Sequence, residues 1–292
     1  MQAPVPAGPL AVRWLGHEVP PQRAGSRSIV TVEAENAGSA AWHGDSERGV
    51  QMSYHWLDLR GNPIVWAGIF TPLFDPVPPG ARTKLRFPVD APIPPGRYRL
   101  ALDLVDEGRA WFAELGNAPI ELDLDVAPRI AARTLAVRLG DGPAELVEQT
   151  RAALAAQEEP LHDGDDAVAT AFLAPGCCPD PQWSRRLLDA HAEGYAAVGG
   201  SVDVERGLLG FGRVGRELDP WKPGFGRSPG WDLPLVCPSV AAEALGAAPF
   251  ADPVCGLPAL DPSRWDEPSL CDGRIAVSVP ARALKQAARP SG

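Results

Sequence analysis

At 292 residues, 45% hydrophobic and 22% charged, the chain has room for two ordinary domains with separate cores. Its formal net charge of −10 excludes a large basic nucleic-acid footprint and disfavours adhesion to an anionic membrane. No apolar run approaches the roughly 20 residues of a membrane span, so no membrane insertion is expected.

The opening stretch Met1 to Leu10 (MQAPVPAGPL) has neither a positively charged start nor an apolar centre. It does not read as a secretory signal, so the chain is expected in the cytoplasm when synthesised, with release as part of a particle left open. The 33 prolines and 30 glycines are scattered, which predicts turns and edge strands rather than one disordered tract. From about residue 10 to 126 the pattern is short strands between turn signals. Ser28 to Glu35 (SIVTVEAE) alternates apolar and polar residues, then turns at Asn36-Ala37-Gly38. Val50 to Leu59 is rich in aromatics and closes at Arg60-Gly61-Asn62-Pro63, and Ile64 to Phe70 follows. Proline-glycine corners then lead into Thr83 to Val89 and into Tyr98 to Val105. Ala110-Trp111-Phe112 and Ile120 to Val126 complete the set. Short strands at roughly ten-residue spacing predict an antiparallel sandwich.

After Pro128 to Arg133 the period changes. Thr134 to Leu139 reads as a strand. Pro143 to Gln157 reads as an amphipathic helix with Leu146, Val147, Thr150 and Leu154 on one face. Ala167 to Leu173 is a buried strand, Pro181 to Glu193 a second helix, and Ala196 to Val204 another strand. Val240 to Leu245 reads as a short helix, and Arg274 to Val279 as a last regular stretch. Alternating strand and helix predict an α/β domain with a parallel core. All five cysteines (177, 178, 237, 255 and 271) lie in this half, without a C-x-x-C pair. They read as thiols of a reducing compartment rather than zinc ligands.

The first half resembles the Ig-like domains attached to bacterial sugar-modifying enzymes. The matching residues are Asn36-Ala37-Gly38 with Trp42, Tyr54-His55-Trp56-Leu57-Asp58 with Gly61, Val77-Pro78-Pro79-Gly80, Ala91-Pro92, Pro95-Gly96-Arg97-Tyr98, and Glu107-Gly108 ahead of Trp111-Phe112. The second half resembles family-2 glycosyltransferases of the GT-A fold. The best match is Ala171 to Val202, carried by Pro179-Asp180-Pro181-x-Trp183 and Val198-Gly199-Gly200, with Thr134 to Gln157 as the opening βα unit and Leu233 to Phe250 as an acceptor-cradling segment. These resemblances imply a multi-domain chain. It would have an all-β Ig-like sandwich over residues 1–127, a linker over 128–133, and a small, incomplete α/β domain of GT-A type over 134–292.

The departures from the transferase pattern argue against catalysis. The family's acidic motif holds a divalent cation on carboxylate oxygens, and here Ala174-Pro175-Gly176-Cys177 stand in its place. The connection from Gln157 to Ala167 is too short for the elements that grip the base. Asp252 or Asp261 would have to substitute for the general base. No catalytic residue and no cofactor is expected.

Other constellations carry less. Asp163, Asp165 and Asp166 beside His162 read as a solvated loop, with Asp165 and Asp166 the residues to watch for metal. Gly207 to Gly215 (GLLGFGRVG) contains G-x-G outside a βαβ unit and reads as a loop rather than a dinucleotide site. No nucleophile elbow is present. Of nine tryptophans, Trp42, Trp56, Trp66 and Trp111 are assigned to sandwich packing. Trp183, Trp221 and Trp231, with Asp180, are the candidate ligand contacts, because aromatic faces stack on sugars and loops carry binding residues. The functional expectation is a non-catalytic carbohydrate-binding or adhesion protein on a degenerate transferase scaffold. The alternatives are a structural component of a homo- or hetero-oligomeric assembly with protein partners, and a residual metal-dependent glycosyltransferase.

Overall fold

The computed structural model describes residues 8–44, 49–164, 166–205, 211–214, 234–254, 256–280 and 283. The chain is mostly β with few helices, and it divides into two compact units, Met1–Ala127 and Pro128–Gly292.

In the first unit the strands among the described residues are β1 (Val12–Glu18), β2 (Arg27–Asn36), β3 (Val50–Leu57), β4 (Pro63–Val65), β5 (Thr71–Pro72), β6 (Arg82–Asp90), β7 (Gly96–Asp106), β8 (Ala110–Trp111) and β9 (Ile120–Val126). They form two antiparallel sheets. One has the order β1-β2-β6. In the other β3 pairs with β7, β9 and β8 pair with β7, and the short β4 and β5 pair with β3. The order 1-2-6 against 3-7-9 is the ABE/CFG arrangement of an immunoglobulin-type sandwich. Two details of that fold are present. Trp56 lies fully buried on β3, its Nε1–H donating to Asp90 O at 2.8 Å. Tyr98, at the start of β7, reaches back so that its hydroxyl donates to Pro94 O at 2.7 Å and locks the corner. Val30, Val32 and Ala34 from one sheet meet Met52, Tyr54, Trp56, Leu100, Leu102 and Leu104 from the other, with Trp42 and Phe112 closing the end edge-to-face at 5.8 Å.

Most predicted strands are present with shifted ends. Ile64 to Phe70 is the exception. Only Pro63–Val65 and, beyond it, Thr71–Pro72 pair with β3. The chain between them leaves the ladder but stays against β3, where Gly68 N–H donates to Tyr54 O at 2.9 Å and Ile69 packs against the core.

In the second unit the described strands are β10 (Leu135–Leu139), β11 (Ala169–Leu173), β12 (Cys178–Pro179), β13 (Ala197–Glu205), β14 (Phe211–Val214), β15 (Leu235–Val236), β16 (Ser239–Ala241), β17 (Phe250–Val254), β18 (Leu257–Leu260) and β19 (Ser269–Pro280). The described α-helices are α1 (Ala144–Ala155) and α2 (Trp183–Glu193). The main sheet runs β10-β11-β16-β13-β19-β12 with β14 beside β13, and a second sheet runs β15-β18-β17. The main sheet is mixed rather than parallel. β10 pairs parallel to β11 and β13 parallel to β19, but β16 enters between β11 and β13 antiparallel to both. The expected helix at Val240 to Leu245 is instead the end of β16 followed by a 3-10 turn over Ala242–Ala247. A turn at Cys237, whose φ is +50°, sends the chain straight back along β11.

The Gly199-Gly200 pair has a packing reason. β13 and β19 slip register between Gly200 and Ser201, and β19 bulges through Gly273 to Ile275. A side chain at Gly200 would overlap the Ile275 carbonyl, and one at Gly199 would crowd Leu235. Arg129, within the stretch expected as a linker, is buried. Its guanidinium donates to Glu243 and Glu267, each at 2.8 Å, and to Gly194 O at 3.1 Å, pinning the C-terminal end of α2.

Candidate functional site

The residues singled out in the second unit do not assemble. Trp183 is 1% exposed. Both faces of its ring are packed inside the unit, so it is a core residue and not a stacking surface. Asp180 is exposed and serves through its backbone, its carbonyl accepting from Trp183 N–H (2.9 Å) and Gln157 Nε2 (3.0 Å) at the start of α2. Trp221, Trp231 and Asp165 lie outside the described residues, as does Cys255. Asp166 is solvent-facing and bonds His162 Nε2 at 2.6 Å, a bond that holds its carboxyl below the usual carboxylate range. No group of three or more His, Cys, Asp or Glu side chains suited to a metal is found among the described residues. Asp261 caps a short 3-10 turn, accepting from Ser263 N at 3.0 Å and Ser263 Oγ at 2.6 Å. Of Gly207 to Gly215, the described part, Phe211–Val214, is a strand paired with β13.

The Ala174 to Cys177 stretch is closed as well as uncharged. Ala174, Gly176 and Cys177 are buried, and Gly176 N–H is drawn to Thr150 Oγ1 (2.9 Å) and Leu146 O (3.1 Å) on α1. Elsewhere in the unit, not lined by the Ala174 to Cys177 turn, an open cleft of about 420 Å³ is bordered by Arg138, Leu154, His162, Asp163, Thr170 and Leu245. Its mixed charges and single His–Asp pair define no nucleophile and no oxyanion site.

The first unit has a better-formed surface, on residues that sequence reasoning placed in the core. Strand β3 is buried on both faces. Its inward side chains are Met52, Tyr54 and Trp56. Its outward ones are Gln51, Ser53 and His55, which stand across from Val105, Asp103 and Ala101 on β7. The chain between β4 and β5 lays Trp66 and Phe70 over this outward face, and β8 adds Trp111. The His55 ring lies 4.6 Å from Trp66 and 4.3 Å from Trp111. Trp66 and Trp111 stand 6.4 Å apart at 72°, and Phe70 lies 6.0 Å from Trp111 at 35°. The cluster is open outward: Trp66 is 57% and Phe70 39% exposed.

Beneath the rings lies a polar floor. Burial pushes Asp103 up to about 6, although its carboxylate accepts from Leu104 N (2.8 Å) and Ala113 N (3.0 Å). Burial pushes His55 down, and its Nδ1 contacts the Trp66 carbonyl, which fixes the height of the Trp66 backbone. Ser53 Oγ and Thr71 Oγ1 are buried without a hydrogen-bond partner. Arg109 and Asp106 pair at 3.0 Å near the rim, and Glu114 accepts from Trp111 N at 2.9 Å, holding β8 in place. The available sequence signal was the polar set Gln51, Ser53 and His55. Polar residues in a strand with an all-hydrophobic inner face need a cover if they are buried, and Trp66 and Phe70 follow within the next two turns.

No family model and no curated protein matches this chain. Several solved structures resemble it over less than half its length. The C-terminal domain of wzt is 11% identical over 42% of this chain and 77% of its own, with a TM-score of 0.29. The CARDB domain of the PF1109 protein from Pyrococcus furiosus, solved with di-metal ions, is 12% identical over 43% of this chain and 92% of its own, with a TM-score of 0.25. A β-glucosidase from Listeria innocua, in complex with gluconolactone, is 12% identical over 41% of this chain and 16% of its own, with a TM-score of 0.27. At these values the function has to be argued from the side chains. No described helix is long and apolar enough to cross a membrane.

Proposed function

We propose that this chain is a non-catalytic carbohydrate-binding protein whose binding surface is the aromatic face of the sandwich, centred on Trp66, Phe70 and Trp111. The observation that carries the reading is that two indoles and a phenyl ring are held at fixed angles, Trp66 and Phe70 exposed and Trp111 half-buried, over a floor of buried polar groups. A pyranose presents one C–H-rich face and a rim of hydroxyls. The first suits an aromatic platform and the second suits the charged groups at its edge. Rings anchored on a rigid sheet lose little freedom on binding, which favours weak but selective recognition.

In this reading the second unit is a transferase-derived scaffold that has lost its chemistry. The β10–α1–β11 unit, followed by a closed, carboxylate-free turn at Ala174 to Cys177, supports that descent. The test is titration of the whole chain against a neutral polysaccharide panel on an array and in solution. Trp66→Ala and Trp111→Ala should each weaken binding about tenfold, on the scale of one aromatic contact, while Asp180→Ala should leave it unchanged. Full binding by the Trp66→Ala, Trp111→Ala double variant would sink the assignment.

A second reading, as an assembly component, is favoured by one observation. Phe74 is 90% exposed just past β5, an apolar ring with nothing over it. A concentration-dependent solution mass that Phe74→Ser abolishes would support it. A monomer at all concentrations would count against it.

A further inference from the structure

The turn that replaces the acidic motif carries a feature that carbohydrate binding does not use. Cys177, at the end of the β11–β12 turn, and Cys237, in the β15–β16 turn, bring their sulfurs to 4.0 Å in a buried setting. Neither turn is loose. Cys177 N–H donates to Ala174 O at 3.1 Å, and the preceding Gly176 is tied to α1. Cys237 N–H donates to Pro258 O at 2.8 Å, and its backbone sits in the left-handed region, φ +50°, the only non-glycine residue to do so among the described residues. Such a conformation persists only where the surroundings impose it. Here it aims the Cys237 side chain at Cys177. The contact is also chemically asymmetric. The two sulfurs share one hydrogen bond, in which either can be the donor, and that contact lowers the pKa of Cys177 and raises that of Cys237.

We propose that Cys177 and Cys237 are a reversible dithiol–disulfide pair that staples the β11–β12 turn to the β15–β16 turn. The oxidant is a low-molecular-weight disulfide. Once local opening of the turn admits the reagent to the buried pair, the Cys177 thiolate attacks one of its sulfurs, breaking that S–S bond and releasing one small thiol. Cys237, losing its proton, then attacks Cys177 Sγ and releases the second small thiol. Two protein thiols are oxidised, one small disulfide is reduced to two thiols, and the protons balance. Half-buried Cys178, next in sequence, offers its sulfur to Gly176 O at 3.6 Å and is the thiol that competes for the same reagent. The staple closes a loop of chain that contains α2 and β13, so it restricts the unfolded ensemble and raises stability.

The experiment uses the whole folded chain incubated with excess oxidised glutathione. Remaining thiols are then alkylated, followed by digestion and mass spectrometry, in the wild type and in Cys178→Ser. The expected result is a Cys177–Cys237 cross-link in both proteins and a rise of several degrees in the melting of the second unit, reversed by dithiothreitol. Cys237→Ser should lose both the cross-link and the rise. If that variant does not fold, the cross-link in Cys178→Ser decides alone. The proposal is overturned if both thiols are recovered alkylated while Cys178 carries glutathione, or if the cross-link forms through another cysteine.

Discussion

The two units use tryptophan in opposite ways. In Pro128–Gly292, Trp183 and Trp265 are buried, and the sheet beside them is backed by helices. In Met1–Ala127 the inward aromatics are equally buried, but among the described residues no α-helix covers the outward face of the β3–β7 sheet. A single excursion of chain and the short β8 cover it, leaving Trp66 and Phe70 exposed and Trp111 half-buried. What separates a core tryptophan from a surface platform is therefore the element available to cover the sheet, which neither residue type nor strand pattern discloses.

The strongest way to test this contrast is to remove one buried ring from each unit. Trp56→Ala should cost the first unit about 3–5 kcal/mol, and Trp183→Ala should cost the second a similar amount. Calorimetry should show each variant lowering one unit's transition. A loss below about 1 kcal/mol at Trp183 would mean that its ring is not a core element.

Protonation should separate the units next. Burial holds His191 neutral down to about pH 4, with Nδ1 bonded to Tyr195 O (2.8 Å) and Nε2 to Ser239 Oγ (2.9 Å). An unfolded histidine titrates near about 6.5. Between those values the unfolded state binds the extra proton, so the second unit should lose about 3 kcal/mol as pH falls from 6.5 towards 4. Asp103 behaves inversely. Its pKa of about 6 when folded exceeds the unfolded value, so the folded state binds the extra proton. Its contribution to the first unit, about 3 kcal/mol, is present near pH 4 and lost as pH rises through 6. His191→Gln and Asp103→Asn should flatten these two slopes in opposite directions. Slopes of equal sign would refute the assignment.

The smallest effect on stability belongs to the platform. Trp66→Ala should change the melting of the first unit by no more than about 1 kcal/mol, since more than half of the side chain already meets water. The same substitution should still carry the affinity loss described above. A variant that unfolds the sandwich would make Trp66 a core residue after all.

Much of the fold could be read in the sequence, because period two and proline-glycine corners report local geometry directly. β2, β3, β6, β7 and β9 were placed within a few residues. β1 was not singled out, since an edge strand with half-buried residues carries weak alternation. The last regular stretch is expected only from Arg274 to Val279, yet β19 begins at Ser269 and bulges through Asp272-Gly273-Arg274, with Asp272 accepting from Arg274 N at 2.9 Å. The insertion of β16 between β11 and β13 depends on partners far away in sequence and leaves no local mark. The candidate site was harder still. Trp66 and Trp111 are 45 residues apart in number and meet only because β3, β7 and β8 are neighbours in one sheet. The proline-opened helix holding Trp183 is legible in the sequence, but which way its ring points is not, and the ring is buried.

The outward face of the β1-β2-β6 sheet bears on how the first unit meets other matter. Arg27 pairs with Asp90, Lys84 with Glu33, and Arg13 and Arg82 both with Glu35. These cross-strand pairs set four cations against three carboxylates at the surface, with Ile29 exposed among them, and added salt acts on them more than on the aromatic side. The sandwich is thus a two-sided body, charged on one side and aromatic on the other.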